Sequence, residues 1–374
     1  MKILLVSSYL PFPLYSGGHI RLYNLIKNLS EECEITLICE KRDYQTKEDI
    51  EKVEKICKKV ITVDRKKQWS LDNILKAGFS KDPFLVVGHT SEELKLAIKD
   101  ELVRDRYDLV HVETFYVYQN LPKVSIPVVL VEHNVEYLVY ERYAKQANPL
   151  LKPLFYLDVL KLKQAEQKAW QKADKLVAVS NIEKRIMKRA DTDVVPNGVD
   201  TNNFKFRSFD KIPNEKRVLF IGDFKWLQNR DALEFILKDI WPEVLRKMTE
   251  SNKNIDLKLW VVGRNIPFSF KALVKDISVI FDEKNKDETN AIFAKSYILL
   301  APLRVAGGTS YKILEAMSSG VAVVTTNLGI EGLEAKNETQ VLASENAFEL
   351  SDLVLSLLVD PSLYKRLTLN GRKL

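Results

Sequence analysis

Short runs of consecutive apolar residues alternate with longer amphipathic stretches along the whole chain. In the first half the runs are Ile3–Val6, Ile35–Cys39, Leu109–Val112, Val128–Val131 and Lys175–Val179. In the second half they are Val218–Ile221, Leu257–Val262, Val279–Phe281, Tyr297–Ala301 and Val321–Thr325. These runs are rich in β-branched residues and do not alternate polar with apolar. Strands of that kind are covered on both faces, so the pattern predicts parallel sheets flanked by helices. Helical patterns end the chain at Ala347–Leu358 and Pro361–Leu369, and the terminal NGRKL reads as interrupted, as if the natural chain continued past Leu374.

Between Pro196 and Pro213 the rhythm lapses. The segment PNGVDTNNFKFRSFDKIPNEK is rich in Asn, Asp, Pro and Lys, and the strand–helix rhythm restarts at RVLFIGDF. The expected architecture is α/β: two doubly wound Rossmann-like domains, 1–205 and 206–374, facing each other across a cleft. A chain of 374 residues accommodates two such cores. Ligands of doubly wound sheets bind outside the carboxyl ends of the strands. Polar or glycine residues follow several predicted strands there: Gly17 and Gly18, His133, Asp223 and Lys225, Gly263 and Arg264, and Arg304.

Composition narrows the class. Hydrophobic residues make up 46% and charged residues 29%, as in soluble globular proteins. No apolar run is long enough to span a bilayer, and MKILLVSSYLPFP reads as a buried first strand rather than a signal peptide. Cys33, Cys39 and Cys57 are odd in number and lack metal-ligand spacing, which suits reduced thiols in a cytoplasm. The formal net charge of +6 suits an anionic substrate or an anionic membrane surface. No nucleic-acid partner and no metal site are expected.

The segment APLRVAGGTSYKILEAMSSG carries the most chemistry. It reads as a strand end, a glycine loop and a helix stopped by Gly320. Unpaired amides at a helix start, at Gly307, Gly308, Thr309 and Ser310, favour an anion, and glycine lets it approach the backbone. Lys312 and Arg304 add charge, and Glu315, one turn on, can accept hydrogen bonds from sugar hydroxyls. Such a loop also serves as a plain strand–helix connection. There is no GxxxxGK[ST] and no GxGxxG after the first strand. Gly17 and Gly18 open a second helix, HIRLYNLIKNL, which again offers its start to an anion. His111 lies within a strand and reads as a packing residue. In the stretch RKKQWSLDNILKAGFSKDPFL, read as loop-rich, Arg65, Lys66 and Lys67 stand beside Trp69, Phe79 and Phe84. Basic residues with interleaved aromatics suit a peripheral contact at the inner face of a membrane, as does the apolar start of the helix read over Leu150–Lys175.

Six segments in order extend this reading: SSYLPFPLYSGGHIRLYNLIKNL, VEHNVEY, KADKLVAVSNIEKRIMKR with VVPNGVDTNNF, VLFIGDFKWLQNRDALEFI, LWVVGRNIP, and APLRVAGGTSYKILEAMSSGVAVVTTNLGIEGL. The chain resembles the retaining glycosyltransferases of family four, which have the GT-B fold. The resemblance implies an N-terminal acceptor-binding domain, for a carbohydrate or lipid-linked acceptor, and a C-terminal domain for a nucleotide sugar. The nucleotide sugar is a co-substrate, with no further cofactor. It implies that His133, Lys312 and Arg304 serve catalysis. It places the donor on Gly17, Gly18, Lys225, Gly263, Arg264, Gly308, Thr309, Ser310 and Glu315. Glu315 matches the second glutamate of the family's Glu-x7-Glu signature, whereas the first falls on Gly307. Asp223 stands where the family commonly has an arginine. Gly307 prompts one rival to transfer, a non-catalytic nucleotide-sugar-binding subunit; a GT-B epimerase of a UDP-sugar is a further one.

Overall fold

The computed structural model describes residues 1–251, 255–274, 276–285, 287–305 and 309–374, with Gln146 described by its backbone alone. The chain divides into two units, Met1–Pro196 and Asn197–Leu374.

The first unit is built on a parallel sheet of β1 (Lys2–Ser7), β2 (Glu34–Lys41), β3 (Lys59–Asp64), β4 (Leu109–Glu113), β5 (Val128–Val131), β6 (Lys175–Ala178) and β7 (Asp193–Val194). The strand order is β3-β2-β1-β4-β5-β6-β7, with β1 paired in parallel to both β2 and β4. The second unit holds β8 (Lys216–Asp223), β9 (Leu257–Arg264), β10 (Val279–Asp282), β11 (Ile298–Ala301), β12 (Ala322–Thr325) and β13 (Leu342–Ala343). Its order is β10-β9-β8-β11-β12-β13, again all parallel. Both are doubly wound sheets, and each reverses its winding direction once, between β1 and β4 and between β8 and β11. Crevices at such reversals are where doubly wound folds hold ligands.

All ten apolar runs are strands; the central ones are buried on both faces, whereas β10 is a half-exposed edge strand. In β1, Leu4, Leu5 and Val6 are fully buried, and Leu4 and Leu5 feed cores on opposite sides of the sheet. In β11, Leu299 and Leu300 divide in the same way. Each such side chain contributes roughly 1.5–3 kcal/mol on burial. Strands β3, β7 and β13 escaped the pattern. β7 and β13 are two residues long, and β3 is a half-exposed edge strand bounded by Lys59 and Asp64.

Two expectations need correction. Residues 197–205 belong to the second unit, not the first. Phe204 is buried in that unit's core, and its carbonyl accepts from Arg372 at 3.0 Å. The stretch after Arg65 is not loop-rich: it contains helices Leu71–Phe79 and Phe84–Gly88, the first capped by Ser70, whose hydroxyl accepts from the Asn73 amide at 3.2 Å.

Gly263, at the end of β9, has φ +147, and a Cβ there would lie 1.8 Å from the Gly222 carbonyl oxygen on β8. No side chain fits that approach. Gly263→Ala is expected to destabilise the protein by at least about 3 kcal/mol, read from the urea midpoint.

Candidate functional site

In the first unit, the residues expected at the sheet edge converge on the reversal between β1 and β4. The loop after β1 is pinned by buried Gln45, whose amide donates to the Leu10 and Phe12 carbonyls at 3.0 and 2.6 Å. It delivers Gly17 and Gly18 to the first turn of helix Gly17–Leu29, where Ser16 makes no side-chain cap. The Ser16 hydroxyl instead meets His19 Nδ1 at 2.6 Å. A Cβ on Gly18 would stand 2.9 Å from the Tyr9 hydroxyl and 3.5 Å from His133 Nδ1. The glycine therefore lets the helix start lie against the histidine ring.

His133 is oriented by Glu113, which terminates β4 and is fully buried. Its carboxylate takes His133 Nε2 and His111 Nε2, each at 2.5 Å. Burial alone would raise the Glu113 pKa, but His133 and His111 outweigh it and hold the carboxyl well below its ordinary range. A carboxylate only accepts, so both Nε2 atoms carry hydrogen, and in the neutral ring His133 Nδ1 keeps a lone pair toward Gly18. His111 is thus more than packing: it shares the charge that aims His133.

The backbone around this group is held by two more buried carboxyl groups, both pushed well above the ordinary glutamate range by burial. Glu132 accepts from Trp170 Nε1 at 2.9 Å and the Phe115 amide at 3.3 Å. Glu166, on helix Lys152–Lys172, accepts the Glu136 and Tyr137 amides at 2.8 and 3.0 Å, capping helix Glu136–Gln146 just after His133. Thr114, between Glu113 and the Phe115 amide, has φ 75. A β-branched residue in that region is strained, and the strain stands where the site is.

In the second unit, Lys312, Ser310, Thr309 and Glu315 come together at helix Tyr311–Ser318, next to the reversal between β8 and β11. Ser310 is the residue before the first turn and makes no side-chain cap, and the first turn carries no acidic residue. Lys312 turns back toward β8: its ammonium donates to Asn229 Oδ1 at 2.8 Å and lies 4.9 Å from the centre of the Phe220 ring. Asn229 is buried on helix Leu227–Phe235 and donates in turn to the Asp223 carbonyl at 2.9 Å. Burial pushes Lys312 down to about 8 against the opposing pull of Glu315, and pushes Glu315 up to about 8 against that of Lys312. Asn197 joins the group, donating to the Thr309 hydroxyl and accepting from the Tyr311 hydroxyl at 3.2 Å. Gly308 lies outside the described residues, as does Gly307.

The other expected cations are held elsewhere. Arg304 forks onto Asp231, with Nε at 3.1 Å and Nη2 at 2.8 Å from the two carboxylate oxygens, and lies 4.2 Å from the Phe235 ring centre. Arg264 binds Asp223 Oδ2 at 3.0 Å, while the Asn265 amide and the Lys225 backbone N–H bind Oδ1 at 2.8 and 3.0 Å. Asp223, where an arginine was the commoner expectation, ties together the two strand ends that carry Lys225 and Arg264. The Lys225 side chain is exposed.

Glu113, Asn229 and Asn197 were not expected. Two left a trace: Glu113 ends an apolar strand run, and Asn197 lies in the PNGVD segment; Asn229, in the first turn of its helix, left none. Among the described residues no three His, Cys, Asp or Glu side chains form a metal-binding group.

Residues 15–203 match the family described as Glycosyltransferase Family 4, and residues 215–360 match that described as Glycosyl transferases group 1. An uncharacterized 44.6 kDa protein in the cps region of Klebsiella pneumoniae is 25% identical over 358 residues, covering 92% of this chain and 88% of that one. Among solved structures, sucrose-phosphate synthase from Thermosynechococcus elongatus superposes with a TM-score of 0.71 at 15% identity, covering 100% of this chain and 94% of its own. Anabaena Alr3699/HepE in complex with UDP and glucose gives 0.65 at 14% identity, with the same coverage.

Proposed function

The chain belongs to glycosyltransferase family 4 and has its two-domain Rossmann-like GT-B fold, and from that premise we propose that it moves a sugar from a nucleotide diphosphate donor to an acceptor hydroxyl with retention of anomeric configuration. The observation that supports this most is the half-buried Lys312, held by Asn229 beside the uncapped start of helix Tyr311–Ser318. The hard step is departure of the diphosphate, which gathers negative charge as the sugar becomes oxocarbenium-like. An ammonium and helix amides fixed in advance stabilise that charge more in the transition state than in the ground state. Glu315 accepts the ribose hydroxyls, and the acceptor binds the first unit, where Glu113 holds His133 beside Gly18. The leaving phosphate takes the acceptor proton on the same face. The charge on the diphosphate is met by the chain itself, so transfer proceeds without a metal. The cps-region relative favours a role in cell-surface polysaccharide or glycolipid synthesis in the cytoplasm.

The test is release of nucleoside diphosphate from a panel of nucleotide sugars, with and without acceptor and with a chelator present, and NMR of the product anomer. Release that requires acceptor and survives chelation, with the anomer kept, is expected. Donor binding without release would favour a non-catalytic subunit, and sugar isomerisation without acceptor would favour an epimerase.

Affinity for the diphosphate depends on pH. Below about 8, Glu315 is neutral and Lys312 charged; above it, Glu315 is ionised and Lys312 neutral. Each loses one proton as pH rises, so the local charge falls by two. UDP affinity measured by calorimetry is expected to drop at least about tenfold between roughly pH 7 and pH 9. Glu315→Gln keeps one of the two titrations and gives a shallower profile.

A further inference from the structure

We propose that helix Leu71–Phe79 and the start of helix Lys152–Lys172 form a face that docks on an anionic lipid surface. Helix Leu71–Phe79 is amphipathic, but its apolar stripe points away from the domain. Leu71, Leu75 and Phe79 are spaced by four and share one face, while Ala77 is buried. Leu71 is 80% exposed and Phe79 is 91% exposed, and Trp69, just before the helix, is 77% exposed. A surface helix ordinarily turns such a stripe inward. The start of helix Lys152–Lys172 repeats the anomaly, with Leu150, just before it, 89% exposed and Leu154 and Leu157 exposed on the helix itself.

The two elements are joined within the first unit. Lys161 Nζ donates to the Ala77 carbonyl at 2.7 Å, and the Phe84 amide donates to Asp158 Oδ1 at 2.9 Å. The Trp69 and Phe84 rings pack with centroids 4.7 Å apart. Isolated exposed apolar residues are ordinary, but a contiguous set on adjoining helices marks a docking surface.

Charge selects the occupant. Around helix Leu71–Phe79, Lys66, Lys67, Lys76 and Lys81 are exposed against Asp72 and Asp82, while Arg65 is turned inward onto Gln68 and His89. Cations around aromatic and leucine side chains match an interface of anionic headgroups over acyl chains. A protein partner of matching apolar shape has no need of that rim.

The experiment is flotation of the full chain with phosphatidylcholine vesicles, with and without phosphatidylglycerol. Two variants accompany it: Trp69→Ser with Leu71→Ser and Phe79→Ser, and Leu150→Ser with Leu154→Ser. These positions are exposed, so the thermal midpoint stays near that of the parent. The parent is expected to float with the phosphatidylglycerol vesicles, each variant to bind at least about tenfold more weakly, and added salt to release the parent. Equal binding to both vesicle types, binding unchanged in the variants, or no binding to either would overturn the assignment. So would a lipid-free dimer that the variants dissolve, since it would put a second copy of the chain on this face. Binding is read without substrate, so the result stands apart from the transfer assay.

Discussion

In the proposed transfer reaction, Lys312→Ala is expected to lower kcat/KM by about 10²–10³-fold, a loss of roughly 3–4 kcal/mol in transition-state stabilisation. The ammonium is half-buried and fixed by Asn229 and the Phe220 ring, so it is already in place when charge develops. The loss falls mainly on kcat, because charge builds on the diphosphate only as the sugar departs. Removing Lys312 also leaves Asn229 Oδ1 without this donor and Glu315 without its cation, so the thermal midpoint is measured alongside. Asn229→Ala separates the two effects: it loosens the ammonium without removing it and is expected to cost less. A Lys312→Ala enzyme that turns over within threefold of the parent would sink the diphosphate assignment.

Glu113→Gln is expected to cost both stability and rate. Its carboxylate is buried between two imidazole Nε2–H groups, and each hydrogen bond to a charged acceptor contributes roughly 1.5–3 kcal/mol. The sign with pH follows from the depressed pKa. The stabilisation is complete above the ordinary glutamate value of 4.5 and declines as pH falls below it toward the folded value. The gap between parent and variant in urea unfolding should therefore be full near neutral pH and narrow in acid. The amide can also donate to one ring, which releases the tautomer of His133, and kcat is expected to fall at least about a hundredfold. A glutamine variant as stable as the parent near neutral pH, with an unchanged rate, would remove Glu113 from the site.

The strands and the two-domain division were legible because burial on both faces leaves a continuous apolar run, as in LLV of β1 and ILLA of β11. The start of helix Tyr311–Ser318 was legible because a glycine loop before an apolar helix has few other readings. Pairing was not. Asp231 reaches Arg304 and Glu113 reaches His133 from distant positions in the chain, and only the fold decides which carboxylate meets which cation. Helix Leu71–Phe79 had a local signal in Ser70 and its apolar spacing. It went unread because its exposed leucines and flanking lysines suit a loop equally well.

The place of Asn197 bears on how relatives of this protein can be recombined. The residue opens the second unit, and its side chain spans Thr309 and Tyr311 at the entrance of the helix proposed to hold the donor. A hybrid that exchanges one half for another should switch parents before Asn197. A junction at 205 would leave the donor's half keyed to a foreign asparagine loop and a foreign Phe204 plug.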